Sequence, residues 1–177
     1  MDPRLQRLID HSEIRETIEA YVHACDRGDR DATADVYHPD SWDDHGPVKC
    51  AGPEFADRNT EALMTRWKSC NHLLGQSRIK VTGDTAGAET LFFASLTRDA
   101  DGVTMLDQMV GRYIDRFERR DDIWRIKERR CVSEWTSSAP IGEDYLAGHL
   151  FIQGARSEED PSYAVLGLAR GCSRIAR

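Results

Sequence analysis

No stretch of this 177-residue chain approaches the ~20 consecutive apolar residues that a bilayer-spanning helix needs. Its first residues, MDPRLQRLIDHSEIRE, lack the apolar centre of a secretory leader. Both absences predict a soluble, cytoplasmic protein. Basic charge is also in short supply. Lys and Arg number 24 against 31 Asp and Glu, a formal charge of −7, and the basic residues are spread along the chain. This excludes nucleic acid or an anionic membrane as the main partner. The five cysteines (Cys25, Cys50, Cys70, Cys131, Cys172) are odd in number and form no CxxC pair, so they make neither a disulfide framework nor a zinc site. A reducing compartment fits them better. Missing too are a glycine-rich phosphate loop, a GxSxG elbow, an HExxH or EF-hand spacing, internal repeats and low-complexity tracts.

What the chain does contain is an ordered change of texture. Ile14, Ile18, Tyr21, Val22 and Cys25 recur at helical spacing, with Asp10 and Glu13 as a capping signal and Gly28 as the stop. A second helix is expected over 31–37, ending at His38-Pro39, and a third over 53–67 with Pro53 in its first turn. After Ser69 the pattern turns to strands over 73–81, 88–97, 105–117 and 124–135, separated by TGDTAG, RDADG and ERRDD. Helices followed by a meander predict an α+β fold, with the N-terminal helices packed on the concave face of a strongly curved, mostly antiparallel sheet that wraps them as a cone. The expected division is a cone domain over 1–136 and a tail over 137–177 lying on that domain or on a neighbouring subunit. The tail is expected to include a short helix over 143–151.

Two residues raise the question of chemistry. Asp26 follows Ile18 and Val22 by two turns and one turn, so its carboxylate either faces inward with a partner or belongs to the solvated DRGDRD turn. His72 stands where a polar helix end gives way to an apolar strand, either packed or poised as a base. Taken together they suggest a pair in which the carboxylate fixes the tautomer of the imidazole and stabilises its protonated form. Arg129, in WRIKERRCVSEW, falls by alternation on the side opposite Trp124 and Ile126 unless a bulge intervenes. Turned inward, it would stabilise a developing oxyanion or hold a leaving group. YHPDSWDDHG gathers His38, Asp40, Asp43, Asp44 and His45 without a metal-ligand spacing, and reads as a helix-to-strand loop whose Trp42 and His45 line a cavity.

A first helix ending in Tyr21 to Asp26, the loop YHPDSWDDHGPVKCAGPEF, CNHLLG opening the sheet and DRFERRDDIWRIKERR as its last hairpin occur here in one order. In this the stretch from about Arg4 to Trp135 resembles the SnoaL-like branch of the nuclear-transport-factor-2-like superfamily. It is similar there to hexachlorocyclohexane dehydrochlorinase, scytalone dehydratase and bile-acid 7α-dehydratase. The resemblance implies a lyase that needs neither cofactor nor metal and acts on a small apolar, cyclic substrate. It assigns His72 as base, Asp26 as its orienting partner, Tyr21 as a donor to a substrate oxygen and Arg129 as the stabiliser of negative charge. It also implies a homo-oligomer, dimer or trimer. An isomerase or cyclase using the same base, and a small-ligand carrier without chemistry, are the alternatives the superfamily offers. The chain has no counterpart of the second histidine and second tyrosine of scytalone dehydratase. Nor does FFASLTRD supply the additional acidic residue of the bile-acid enzyme.

Overall fold

The computed structural model describes residues 2–142 and 148–174. Helix α1 runs over Pro3–Arg27, longer than its apolar stripe. Asp2 caps it by accepting from the Arg4 N–H, Pro3 occupies the first turn where no N–H is needed, and Gly28 ends it in the left-handed conformation. The expected cap at Asp10 and Glu13 is therefore wrong. Asp10 lies buried inside the helix, where it accepts from Trp124 Nε1 and from Arg119. Beyond the stripe, Leu5 and Leu8 simply remain exposed. Short α2 (Arg30–Asp35) is capped by Asp29, and α3 (Gly52–Arg66) carries Phe55, Ala56 and Leu63 inward.

Strand β1 (Tyr37–His45) and its hairpin partner β2 (Val48–Ala51) occupy the segment expected to be a loop. After an irregular start in which Tyr37 and His38 are both buried and Pro39 and Asp40 both exposed, β1 alternates, with Ser41 and Asp43 buried and Trp42 exposed. β3 (Ser69–Thr82), β4 (Thr85–Ala100), β5 (Val103–Arg120) and β6 (Ile123–Pro140) form the meander. The turns follow the expected chemistry, with Gly83, Asp101, Gly102, Asp121 and Asp122 all at positive φ. The sheet order is β2-β1-β6-β5-β4-β3, antiparallel except for the β1–β6 pair. The six strands curve around the helices without closing, so the expected α+β cone is an open one.

The core lies between α1 and the concave face. Ile14, Ile18, Tyr21, Val22 and Cys25 meet Phe92, Tyr113, Phe117, Trp124 and Ile126. Burying each large side chain contributes about 1.5–3 kcal/mol. After β6 the chain returns over α1, α2 and α3, with a last helix, α4, over Pro161–Leu166. Arg27 pairs with Asp160 at 2.7 Å, Tyr163 Oη donates to Asp29 at 3.0 Å, and Ser173 donates to Asp35 at 2.6 Å. Of the helix expected over 143–151, residues 143–147 lie outside the described residues and 148–151 are not helical.

Candidate functional site

Asp26 sits in the last turn of α1, just before the glycine that ends it, and His72 is the fourth residue of β3. The Asp26 carboxylate holds both the main chain and the ring of His72. Oδ2 accepts the His72 N–H at 2.9 Å, and Oδ1 lies 2.6 Å from Nδ1. A carboxylate only accepts, so Nδ1 carries a proton, and in the neutral imidazole the lone pair lies on Nε2. No group among the described residues bonds Nε2. Asp26 thus faces inward with a partner, and the solvated-turn alternative falls away.

Cys70 completes a local trio. Its Sγ is 3.8 Å from His72 Nδ1, and donor atoms of Asp26, Cys70 and His72 all lie within 4.8 Å of one another. A soft divalent cation would meet nitrogen, oxygen and sulfur ligands here. It would have to displace the Asp26 bond to Nδ1. It would also have to deprotonate a thiol that burial, reinforced by the Asp26 charge, pushes far above its usual range.

Arg129 faces inward because of a bulge. Phe117 pairs with Ile126 and Arg116 with Glu128, which leaves Lys127 as an extra residue and returns Arg129 to the same face as Trp124 and Ile126. It is fully buried. Its Nε and one terminal nitrogen bind the two oxygens of Asp115 at 2.8 and 2.7 Å. The guanidinium lies between two rings, its Cζ 4.1 Å from the centroid of Tyr21 and 4.2 Å from that of Tyr113. Burial opposes its charge, but Asp115 together with Tyr37 and Tyr21 outweighs burial and holds Arg129 protonated. The remaining nitrogen, Nη1, is buried and has no partner among the described residues.

Tyr21 does not reach His72. Its hydroxyl is 3.4 Å from His45 Nε2, and burial raises its pKa well above the ordinary tyrosine value, so it remains an O–H donor. His45 belongs to a second carboxylate–imidazole pair. Its Nδ1 is hydrogen-bonded to Asp43 Oδ1, while Asp43 Oδ2 accepts from Tyr37 Oη at 2.6 Å. Trp42, one residue away on β1, points outward and is 49% exposed, so it lies outside this group. Strand alternation scatters the rest of the acidic cluster. Asp40 pairs with Arg120 and Lys127, Asp44 with Lys49, and His38 Nε2 is hydrogen-bonded to the Glu118 carbonyl.

The four residues expected to act together are therefore all inside the cone but in two groups. A run of rings connects them. His72 tilts against Phe92 at 6.1 Å, Phe92 stacks on Tyr113 at 4.3 Å, and Tyr113 lies 6.2 Å from His45. Sequence reasoning gave no site role to Asp43, which it left in a loop cluster, or to Tyr37, Asp115 and Tyr113. Alternation in YIDRF, where Tyr113, Asp115 and Phe117 share a face, was the available signal for two of them. The tail adds Arg156, whose Nη1 donates to the Leu63 and Trp67 carbonyls at 2.8 and 2.9 Å.

A separate cavity of about 570 Å³ lies between α1 and the tail, lined by Glu16, Ala20, His23, Tyr163 and Leu168 among others. It contains neither carboxylate–imidazole pair. Chemistry is better sought where the hydrogen bonds converge, inside the cone.

A SnoaL-like domain model matches residues 6–130, most of the chain. No curated protein matches it. Among solved structures, the LinA-type3 hexachlorocyclohexane dehydrochlorinase of Novosphingobium barchaimii LL02 is 20% identical with a TM-score of 0.68, covering 85% of this chain and 99% of its own. A candidate scytalone dehydratase of Novosphingobium aromaticivorans DSM 12444 is 17% identical with a TM-score of 0.67, covering 77% and 91%. At these identities the structures establish likeness of fold, and the domain match establishes kinship: the chain belongs to the SnoaL-like domain family.

Proposed function

We infer that this protein is a cofactor-independent lyase that eliminates water, or a comparable leaving group, from a small apolar cyclic molecule. The observation carrying this reading is the two-point grip of Asp26 on His72, which presents Nε2 as a base while holding a carboxylate against the imidazolium formed on proton uptake. The base removes a proton from carbon, and the leaving group departs from the neighbouring carbon. Arg129 holds one unpaired N–H group for negative charge developing on the substrate, and the Tyr21 hydroxyl donates to a substrate oxygen. The apolar rings around them exclude water and so strengthen each contact. Fold relatives named as a dehydrochlorinase and a candidate scytalone dehydratase support elimination as the reaction class.

The test is to extract ligand from the purified protein, identify its class by native mass spectrometry, and incubate it with wild type and His72→Ala. A product lighter by one water, formed only by wild type, is the expected result. A product of unchanged mass would make the enzyme an isomerase or cyclase, and a ligand bound by both and altered by neither would make it a carrier. We also expect a homo-oligomer, since Leu73, Val103 and Trp135 leave large apolar side chains exposed on the strands. A light-scattering mass equal to one chain would refute that expectation.

A further inference from the structure

The cavity between α1 and the tail has a chemistry of its own. At about 570 Å³ it falls within the size range of small-molecule sites, and four parts of the chain enclose it. α1 contributes Ala20, α2 contributes Ala32, the start of β6 gives Ile123 and Trp124, and the tail gives Tyr163 and Leu168. The two alanines leave the space open with their short side chains. The other four make its walls apolar and partly aromatic, a lining suited to an organic body rather than a bare ion.

The charge around this space is one-sided. Glu16 and Asp122 belong to its lining, are exposed, and make no ion pair among the described residues. The Thr17 hydroxyl donates to the Trp124 carbonyl at 3.3 Å, which holds this part of α1 against the turn that carries Asp122. Deeper in, Asp29 is 2% exposed and accepts from the Ala32 and Gly171 N–H groups and the Tyr163 hydroxyl, all neutral donors. No cation among the described residues lies within ion-pair distance of it: Arg27 is paired with Asp160, and Arg170 donates to the Gly28 carbonyl. The basic groups of the lining do not redress the balance. Arg174 faces Asp35, and burial with the nearby Arg27 lowers the pKa of His23, which leaves it neutral at pH 7. Three carboxylates without a cationic partner therefore border an apolar space. An anion entering it would be repelled, and a cation would be attracted while its apolar part leaves water.

We infer that this cavity is a second ligand site, separate from the cone, for a small organic cation whose ammonium group sits at Glu16 and Asp122 and whose apolar body packs on Ala20, Trp124, Tyr163 and Leu168. The site stands whether or not the cone performs an elimination, because it shares no residue with either carboxylate–imidazole pair.

The experiment titrates the full chain with three probes of one shape and different charge: 2-cyclohexylethylamine, 2-cyclohexylethanol and 3-cyclohexylpropanoate. Proton–nitrogen spectra follow the amides of Ala20 and His23 and the indole N–H of Trp124. The amine should give saturable shifts there and bind about tenfold more tightly than the alcohol, with the carboxylate weakest. In Glu16→Gln/Asp122→Asn the amine should lose about fivefold in affinity and the alcohol nothing. Asn suits the positive φ at 122, so this variant keeps the turn. Alcohol or carboxylate binding as tightly as the amine overturns recognition by charge, as does an unchanged amine affinity in the double variant. Absence of saturable shifts with the amine, or shifts centred on His72 and Tyr113 in the cone, overturns the site itself.

Discussion

Replacing Asp26 by Asn changes almost no atoms and should invert the chemistry of His72. The carboxylate makes two bonds to that residue, one to the main-chain N–H and one to ring Nδ1. An amide offers one oxygen and one NH2. Keeping the oxygen on the main-chain N–H places the NH2 against Nδ1, which must then accept, so the ring proton moves to Nε2. The base is lost although the ring has not moved. Both hydrogen bonds persist but neither is any longer to a charged group, a weakening of about 1.5–3 kcal/mol in all. For a domain of this length that corresponds to a melting-point drop of roughly 3–10 °C. Turnover should fall by about 10²–10⁴, the weight of a correctly protonated general base, with little change in KM. Long-range proton–nitrogen spectra read the tautomer without any substrate. A ring still protonated on Nδ1 and bare on Nε2 in Asp26→Asn would refute the argument.

Other perturbations test the frame around the site. Asp107 accepts from Arg98, Ser138 and Trp67, and the Arg98 and Ser138 bonds pull its pKa down to about 2. Its contribution to stability is complete above the unfolded value of about 3.9 and disappears as pH falls toward 2; denaturation of Asp107→Asn should lack that acid-dependent loss. Burial, aided by Arg27, lowers the pKa of His23, which also faces Asp160, Asp26 and Asp29 and is hydrogen-bonded to Ser162 in the tail. Its stabilising effect is present above about pH 6.5 and fades below it, so hydrogen exchange over 160–174 should quicken at pH 5.5 in wild type but not in His23→Gln. A methyl group at Gly111 would stand 2.7 Å from Phe92 Cζ and 2.5 Å from the Val132 carbonyl oxygen, so Gly111→Ala should cost about 1–3 kcal/mol in urea and disturb the ring signals of Phe92. Zinc added in solution should gain nothing from Cys70, whose buried thiol would have to be deprotonated, so Cys70→Ala should leave any zinc inhibition unchanged.

The sequence made the frame legible where periodicity and turn chemistry agree. The α1 stripe is buried throughout, Gly28 is the left-handed stop, and the three meander turns lie at their Gly and Asp positions. The segment 37–45 was not legible, because Pro39 and five acidic or histidine residues make a strand look like a loop. Its inward face is polar as a result of partners far away in sequence or buried with it. Arg129 shows the limit of alternation from another side. Its inward direction depends on one extra residue, Lys127, and single residues leave a two-residue repeat too little signal to register a bulge. The Asp26–His72 contact spans 46 positions, so spacing alone could suggest that each residue faced inward but could not bring them together.

A cone built for stability alone would be lined with Phe, Leu and Met. This one buries Asp26, Asp43 and Asp115, and each carboxylate is matched to one nitrogen base: His72, His45 and Arg129. Replacing such buried pairs by packed apolar groups is often neutral or stabilising, by about 1–4 kcal/mol, so their stability contribution does not explain them. Their arrangement is also directional. In every case the carboxylate fixes one edge of the base and leaves another nitrogen, Nε2, Nε2 or Nη1, for something else to use. Three unrelated packing accidents would not be expected to share that geometry, whereas the proposed elimination makes use of a nitrogen left to take a proton and another left to meet developing negative charge.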